Sequence, residues 1–196
     1  MIRFFDLFLS IVALILSFPF SLAITLVNLF VTKGRPFYTQ IRVGRHGALF
    51  SLIKFRTMYP NSDSKGLITI GNHDTRVTKF GYFLRKYKLD EIPQFWNVII
   101  GEMSLVGPRP ELFEYVRLYT KEQKEVLLVK PGITDYASLE YVNEAEILFK
   151  SQDPQKAYME EIMPHKIELN KKFIANPSLS NYFRILFLTL RGVLFI

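Results

Sequence analysis

The stretch Lys88-Leu89-Asp90-Glu91-Ile92-Pro93-Gln94-Phe95-Trp96-Asn97 carries two adjacent carboxylates at the predicted start of a helix. Pro93 suits a first turn, because the N–H groups there have no intrahelical partner to lose. Apolar residues then recur at helical spacing, which predicts one buried face. Neighbouring helical side chains point about 100° apart, so Asp90 and Glu91 cannot share one proton as a facing pair. Either the two acids have separate chemical roles, or they are ordinary first-turn acids that complement the helix dipole.

The composition excludes several kinds of site. The chain of 196 residues suffices for one domain with a hydrophobic core. It has no Cys, hence no disulfide and no thiolate nucleophile, and its three His residues show no metal-ligand spacing. A net charge of +7 fits nucleic acid, anionic lipid or a phosphorylated substrate. Because no RRM, KH or zinc-finger pattern occurs, we expect no nucleic-acid partner.

An uncharged run, Leu7–Val31, is long enough to cross a bilayer, which takes about 20 apolar residues. Pro19 lies at its midpoint and predicts a kink or break, where Ser17 and Ser21 can donate to freed carbonyls. Two half-helices of about 18 Å each would be too short to cross separately, so a hairpin that enters and leaves on one face would suit them. This stretch alone favours an ordinary kinked transmembrane helix. We place the membrane segment at residues 1–35 and the globular domain at residues 36–196.

The globular part is predicted to open with a β-hairpin. Phe37–Val43 and Ala48–Met58 read as strands around Gly44-Arg45-His46-Gly47. Lys54 and Arg56 project from the same face of the second strand, since strand side chains alternate. The two cations either grip a phosphate or belong to a solvated strand edge.

A polar loop over Tyr59–Asp74 and an amphipathic helix over Thr75–Tyr87 are predicted next. Arg85 lies near the end of that helix, in a cluster of cations just before Asp90. Cations there complement the helix dipole, and they could also balance an anionic ligand.

A second conspicuous stretch is Gly107-Pro108-Arg109-Pro110. The two prolines restrict the backbone on both sides of Arg109. We therefore predict a stiff loop that presents one guanidinium, the group best shaped to fork onto phosphate oxygens. The alternative is a turn with an incidental surface arginine.

The remaining elements are predicted to be helical. Glu111–Val129 reads as a charged amphipathic helix, a helix starts at Asp153-Pro154, and Asn176-Pro177 ends it. Ser178 caps a last helix, Leu179–Phe195, which either lies in the headgroup plane or packs under the domain. Ile133–Phe149 shows no clear pattern.

Phosphoryl chemistry is the reaction class that fits an acidic pair among phosphate-binding cations. The chain has no Walker A loop, no Gly-x-Gly-x-x-Gly and no Gly-x-Ser-x-Gly. A carboxylate cannot easily approach an anionic phosphate, so we expect Mg²⁺ to neutralise charge, bound by Asp90 and Glu91 together with phosphate oxygens. Aspartate is a known nucleophile toward phosphorus.

Along nearly its whole length the sequence resembles the monotopic phosphoglycosyl transferases, also called bacterial sugar transferases, in their minimal form of a catalytic unit alone. The residues that carry the resemblance are Lys54-Phe55-Arg56-Thr57-Met58, Leu89-Asp90-Glu91-Ile92-Pro93-Gln94, Asn97, Gly101-Glu102-Met103-Ser104-Leu105-Val106-Gly107-Pro108-Arg109-Pro110 and Lys130-Pro131-Gly132-Ile133-Thr134.

The resemblance implies an α+β, mainly helical, membrane-associated fold with a small β-hairpin and interfacial amphipathic helices. It replaces the spanning helix by a re-entrant helix-break-helix at Ser17 and Pro19, on the cytoplasmic face of the bacterial inner membrane. It also implies transfer of a sugar-1-phosphate from a UDP-sugar to polyprenol phosphate, with undecaprenyl phosphate as the expected carrier and release of UMP.

Site roles follow from the same resemblance. Asp90 would be the nucleophile on the β-phosphate, giving a covalent phosphosugar-enzyme, and Glu91 would act as a base or a Mg²⁺ partner. The expected phosphate-binding residues are Arg109 with its neighbour Pro108, Lys54, Arg56 and Arg85. Two alternatives stay open: a single in-line displacement at the same site, and a membrane-anchored binding or assembly protein without chemistry.

Two departures limit what the resemblance implies. Many relatives have Ser directly before the membrane proline, whereas here Phe18 intervenes after Ser17. Many continue Gly-Trp-Ala-Gln after the Pro-Gly-Ile-Thr motif, whereas this chain reads Asp135-Tyr136-Ala137-Ser138. The sequence leaves open the sugar, the pathway, the role of Asp135–Glu144 and whether the enzyme is a homodimer.

Overall fold

The computed structural model describes residues 1–62 and 74–194. Most of the predicted polar loop Tyr59–Asp74, residues 63–73, lies outside the described residues, as does Phe195 at the end of the predicted last helix. The described residues form mainly helices with two small two-stranded sheets, which confirms the mainly helical α+β class with its hairpin.

The first element, α1 (Ile2–Val31), is one continuous helix with Pro19 inside it. The predicted division into two half-helices at Pro19 is therefore wrong as secondary structure. An internal proline costs one hydrogen bond and bends a helix without necessarily ending it, and Ser17 Oγ donates to the Leu14 carbonyl nearby, at 3.4 Å. By length and composition alone, α1 is sufficient to cross a membrane.

The N-terminal end of α1 is anchored to the globular body by charged groups. The Arg3 guanidinium donates to the carbonyls of Val98 and Ile99, at 2.7 and 3.0 Å. The Asp6 carboxylate is buried and accepts hydrogen bonds from the Tyr182 hydroxyl and the Leu105 N–H, both at 2.9 Å. Because buried charges need such partners, these contacts fix this end of the helix.

The C-terminal end of α1 is anchored to the same body. The fully buried Asn28 donates from Nδ2 to the carbonyls of Pro36 and Arg56, at 3.1 and 3.0 Å. Between the two anchors, side chains such as Ile15 and Phe20 are exposed. Both ends of α1 thus bind one body while its apolar middle does not.

The predicted hairpin is confirmed, but its second strand ends at Phe55, three residues before the predicted Met58. Strands β1 (Phe37–Val43) and β2 (Leu49–Phe55) pair antiparallel with Phe37 opposite Phe55, across a 3₁₀ turn at Arg45–Gly47. Helix α2 (Lys79–Lys86) starts four residues later than predicted, because Thr78 Oγ1 accepts the Gly81 N–H and caps it there.

The acidic pair lies just before a helix rather than in its first turn. Leu89–Glu91 forms a 3₁₀ turn, and α3 (Gln94–Ile100) begins after Pro93. This difference is small, since helix ends often tighten to 3₁₀ geometry.

A second sheet was not predicted. Strands β3 (Ser104–Val106) and β4 (Gly132–Thr134) pair in parallel. Their backbones approach so closely that a Cβ on Gly132 would lie 2.1 Å from the Gly107 nitrogen, so glycine is required there. This pairing brings the Arg109 loop beside the Pro131-Gly132 turn.

The predicted helix Glu111–Val129 is wrong. The structure has only the short α4 (Phe113–Val116) and a 3₁₀ turn at Gln123–Leu128. Thr120 Oγ1 accepts the Gln123 N–H while Gln123 Oε1 accepts the Thr120 N–H, and such local bonds compete with a continuous helix.

The C-terminal part is helical. The helices are α5 (Tyr136–Glu140), α6 (Glu144–Lys150), α7 (Pro154–Ala157), a π turn at Tyr158–Ile162, α8 (Met163–Ala175) and α9 (Leu179–Leu194). The predicted start at Pro154, the end before Asn176 and the cap by Ser178 are confirmed.

Candidate active site

The acidic pair and the cation of strand β2 come together between the hairpin and α3. Glu91 Oε1 accepts a hydrogen bond from Lys54 Nζ at 3.0 Å. The Arg109 guanidinium forks onto the same carboxylate, Nη2 to Oε1 and Nη1 to Oε2, the latter at 3.3 Å. The structure therefore unites three of the predicted site residues, contributed by three separate segments.

The charges around Glu91 determine its ionisation. Burial acts to raise the pKa of Glu91, but the charges of Arg109 and Lys54 outweigh it and hold the pKa well below its usual range. Burial lowers the pKa of Lys54, and the Glu91 charge opposes that shift. Glu91 is therefore an ionised counter-ion that holds two cations in place.

Asp90 lies in a different environment from Glu91, although the two are adjacent. Its carboxyl is buried, 7 % exposed, and among the described residues Oδ1 has no hydrogen-bond partner. Burial and then the Glu91 charge raise the pKa of Asp90, while Lys54 and Arg85 oppose the rise. The neighbours that act on Asp90 are thus charged groups, and one buried carboxylate oxygen remains without a donor. Such an orphaned polar atom can accept a ligand or an ion, and it is available for a catalytic role.

The loop that carries Arg109 is held rigidly from several sides. The Pro108 carbonyl accepts the Gly132 N–H at 2.9 Å, and the Arg109 N–H donates to Asp135 Oδ2 at 3.0 Å. The next two carbonyls are also bound: that of Pro110 accepts from Arg42 Nη1 at 3.1 Å, and that of Glu111 accepts the Val43 N–H at 2.9 Å. Arg109 Nη1 also donates to the Ile133 carbonyl at 3.3 Å. The stiff presentation of this guanidinium, predicted from the two prolines, is supported by these contacts.

Of the two other predicted arginines, Arg85 interacts electrostatically with Asp90. Its Nε donates to Thr57 Oγ1 at 2.9 Å, burial lowers its pKa, and the Asp90 charge opposes that shift. The Arg56 guanidinium instead donates to the carbonyls of Arg35 and Phe37, at 3.0 and 3.1 Å. The structure therefore turns Arg56 toward the start of β1, whereas Lys54 turns toward Glu91.

The predicted membrane residues lie in the middle of α1. Pro19 is exposed and Ser17 is half-buried, and both are on the part of the helix between its two anchors.

Several residues position the site although the sequence did not predict that role for them. The fully buried Asn97 amide binds the free edge of β2, where Nδ2 donates to the Ser51 carbonyl at 2.8 Å and Oδ1 accepts the Ile53 N–H at 3.1 Å. It thus acts as a substitute for a third strand and sets Lys54 against Glu91. The sequence signal for this role is a lone Asn on an otherwise apolar helix face. Arg42, Thr57 and Asp135 gave no local signal, because their partners are distant in sequence.

A magnesium site can be tested against these contacts. No group of three or more His, Cys, Asp or Glu side chains suited to a metal occurs within residues 1–62 and 74–194. Mg²⁺ commonly takes one or two carboxylates and completes its shell with phosphate oxygens and water. The free Asp90 oxygen fits that use, whereas both oxygens of Glu91 already accept from cations.

Curated relatives with similar sequences are sugar transferases. EpsL of Bacillus subtilis (strain 168), called an uncharacterized sugar transferase, is 40% identical over 162 residues, covering 82% of this chain and 71% of the relative. A UDP-glucose:undecaprenyl-phosphate glucose-1-phosphate transferase of Klebsiella pneumoniae is 35% identical over 188 residues, covering 94% of this chain and 38% of the relative. A UDP-N-acetylgalactosamine-undecaprenyl-phosphate N-acetylgalactosaminephosphotransferase of Aeromonas hydrophila is 36% identical over 137 residues, covering 68% of this chain and 32% of the relative.

The chain thus matches about a third of the length of the two larger relatives. The family described as "Bacterial sugar transferase" matches residues 1–196, the whole length of the chain. With the acidic pair and the Pro-flanked arginine brought together in one site, this protein belongs to the bacterial sugar transferase family.

Proposed function

We propose that the protein transfers a sugar-1-phosphate from a UDP-sugar to undecaprenyl phosphate and releases UMP. Family membership and the activities for which the relatives are named support this reaction. The observation that carries it is the buried Asp90 carboxylate, which interacts electrostatically with Lys54 and Arg85 and has one oxygen that no donor among the described residues occupies. A nucleophile toward a diphosphate needs an oxygen that is free to attack, and it needs nearby positive charge to offset the repulsion between two anions.

In the proposed reaction Asp90 attacks the β-phosphorus of the UDP-sugar. The bond from that phosphorus to the bridging oxygen breaks, UMP leaves with both electrons of the bond, and a sugar-phosphoryl-aspartate forms. An oxygen of undecaprenyl phosphate then attacks the same phosphorus and releases the Asp90 carboxylate. The carboxylate must be ionised to attack, so the raised pKa of Asp90 sets the acidic limit of the reaction.

The surrounding charges offset the repulsion between a carboxylate and a diphosphate. Lys54 and Arg109 are held by Glu91 and can exchange part of that contact for phosphate oxygens. In this proposal Arg85 contributes a third positive charge near Asp90. Mg²⁺, held by the Asp90 carboxylate and substrate phosphates, would further neutralise the diphosphate. Glu91 would join the metal only after releasing a cation, so positioning of Lys54 and Arg109 is its primary proposed role.

The activity test measures UMP release from a set of UDP-sugars in the presence of undecaprenyl phosphate, Mg²⁺ and lipid. We expect Asp90→Asn, which preserves shape but not charge, to abolish release, and Asp153→Asn at an exposed helix cap to leave it unchanged. Wild-type activity in Asp90→Asn would remove Asp90 as the nucleophile. Lipid binding without UMP release from any UDP-sugar would favour a non-catalytic, membrane-anchored protein.

We also propose that α1 is a re-entrant membrane helix, bent at Pro19, on the cytoplasmic face of the bacterial inner membrane. A crossing helix separates its ends by a hydrocarbon core of about 30 Å. Here Arg3 and Asn28, near opposite ends of α1, both bind the same globular body, and the apolar middle is exposed. Both observations favour ends on one side of the membrane.

Further apolar side chains support contact with lipid. On α9, Phe183, Phe187 and Leu190 are exposed at helical spacing, and Phe183 packs edge-on against Phe5 of α1, with ring centroids 5.0 Å apart. An amphipathic helix of this kind suits the headgroup plane, as predicted for the last helix.

The topology test places a single cysteine in the chain, which has none, by Ile2→Cys. We expect a membrane-impermeant thiol reagent to label it from the cytoplasmic side. Labelling only from the outer side would mean that α1 crosses the membrane.

A further inference from the structure

A fully buried carboxylate outside the acidic pair joins the Arg109 loop to the C-terminal helices. Asp135 Oδ2 accepts the Arg109 N–H at 3.0 Å, and Asp135 Oδ1 accepts the Ser138 N–H at 2.5 Å. The second contact caps α5, and the first reaches 26 residues back along the chain. One side chain therefore satisfies a donor in each of two segments.

The Arg109 N–H is a special donor. Pro108 and Pro110 have no N–H, so within residues 108–110 the backbone offers only this one donor. The Asp135 carboxylate accepts the Arg109 N–H, and the Arg109 guanidinium forks onto Glu91. A shift of the Arg109 backbone would therefore displace the group that faces both Glu91 and the proposed phosphate site.

We propose that Asp135 is a positioning residue of the transferase: it fixes the Arg109 backbone and thereby aims the guanidinium. This inference rests on the function proposed above. Asp135 also stands at the point where the sequence departs from the resemblance, so the device is a property of this chain.

The chemistry explains why a carboxylate is needed. Two N–H groups from different directions require two acceptor oxygens, and an ionised carboxylate has only acceptors. Serine caps a helix about as well as aspartate but has a single oxygen. Asparagine also caps, but it would turn an NH₂ group toward one of the two donors. Both substitutions keep the cap of α5 and lose the contact with the Arg109 N–H.

The experiment introduces Asp135→Ser into the wild-type protein and, separately, into the Arg109→Lys variant. Each protein is then measured by UMP release and by thermal melting. We expect Asp135→Ser to lower kcat/KM about ten-fold, comparable to one buried hydrogen bond left unmade, and to lower Tm by only a few degrees, so that the variant stays folded at the assay temperature. In the Arg109→Lys background the same change should have almost no further effect, because the group it positions is already altered. Asp135→Asn serves as the second variant and should behave alike.

The matched control is Asp153→Ser. Asp153 caps α7 by accepting the Gln155 and Lys156 N–H groups, at 3.1 and 3.0 Å, and is exposed. We expect Asp153→Ser to leave kcat/KM unchanged, both in the wild-type protein and in the Arg109→Lys background.

Three results would overturn the inference: wild-type kcat/KM in Asp135→Ser and Asp135→Asn, an equal loss in both Arg109 backgrounds, or a loss that disappears when the variants are assayed well below their Tm. Absence of UMP release from the wild-type protein would instead contradict the proposed function, so the two failures are distinguishable.

Discussion

Replacing Glu91 by Gln tests whether this residue is the counter-ion of the site. The change keeps the shape of the side chain and removes its charge. Glu91 is 13% exposed at its side chain and accepts from Lys54 and Arg109, whose side chains are 21% and 35% exposed. The neutral amide of the Glu91→Gln variant would leave both cations without their counter-ion, in a place where water only partly reaches them.

The magnitude follows from burial. Removing one member of a fully buried ion pair costs about 3–5 kcal/mol, and the partial exposure of Arg109 reduces this to roughly 2 kcal/mol. For a domain of this size we expect a fall in Tm of about 4–8 °C. Because the Glu91 charge contributes to the raised pKa of Asp90, after burial, its removal should lower that pKa. The acidic limb of the residual kcat/KM profile should then move to lower pH.

The assay is thermal melting of the purified protein in one detergent, followed by a pH profile of UMP release. The matched control is Glu125→Gln, which breaks an exposed pair with Lys171, where Glu125 is 57% exposed at its side chain. We expect less than about 1 kcal/mol there. An equal Tm for the two variants, or an acidic limb that moves to higher pH in Glu91→Gln, would refute the counter-ion role.

Two further predictions follow from the placement of single side chains. Lys54→Met should lower kcat/KM about a hundred-fold, because it removes a donor aimed at developing charge. Arg56→Ala should keep kcat/KM near the wild-type value, because the Arg56 guanidinium binds the carbonyls of Arg35 and Phe37 instead. A larger loss of kcat/KM in Arg56→Ala than in Lys54→Met would contradict this prediction. Trp96, the only tryptophan, is 52% exposed on α3 and should be quenched by brominated lipid in vesicles; unchanged emission would exclude lipid contact at α3.

The parts of the fold that could be predicted are those set by local chemistry. The hairpin follows from alternation around Gly44-Arg45-His46-Gly47, and α9 starts where Ser178 caps it. The acidic turn was predicted within a few residues, because Pro93 permits only a few backbone conformations.

The parts that were missed depend on partners far away in sequence. Strands β3 and β4 are three residues long and show no periodicity, so nothing local indicates their parallel pairing. Strand alternation places Lys54 and Arg56 on one face, but β2 ends at Phe55, and the two cations then reach different partners. Pro19 predicted a kink or break, yet local sequence cannot show that both ends of α1 are held by one body.

The same distinction applies to the site. The motifs predicted that Lys54, Glu91 and Arg109 belong to one site. The contacts of Glu91 with both cations, which hold its pKa low while that of Asp90 is raised, emerge only in three dimensions. The positions of Asn97 and Asp135 as supports of those side chains likewise required the fold.

Mass spectrometry of the protein mixed with a UDP-sugar and Mg²⁺, before any lipid acceptor is added, is the most direct measurement. The account predicts one sugar-phosphate adduct, located on the peptide that contains Asp90 and lost when undecaprenyl phosphate is supplied. An active enzyme that never carries the adduct would mean transfer in a single displacement, and an adduct on another residue would remove Asp90 from the centre of the chemistry.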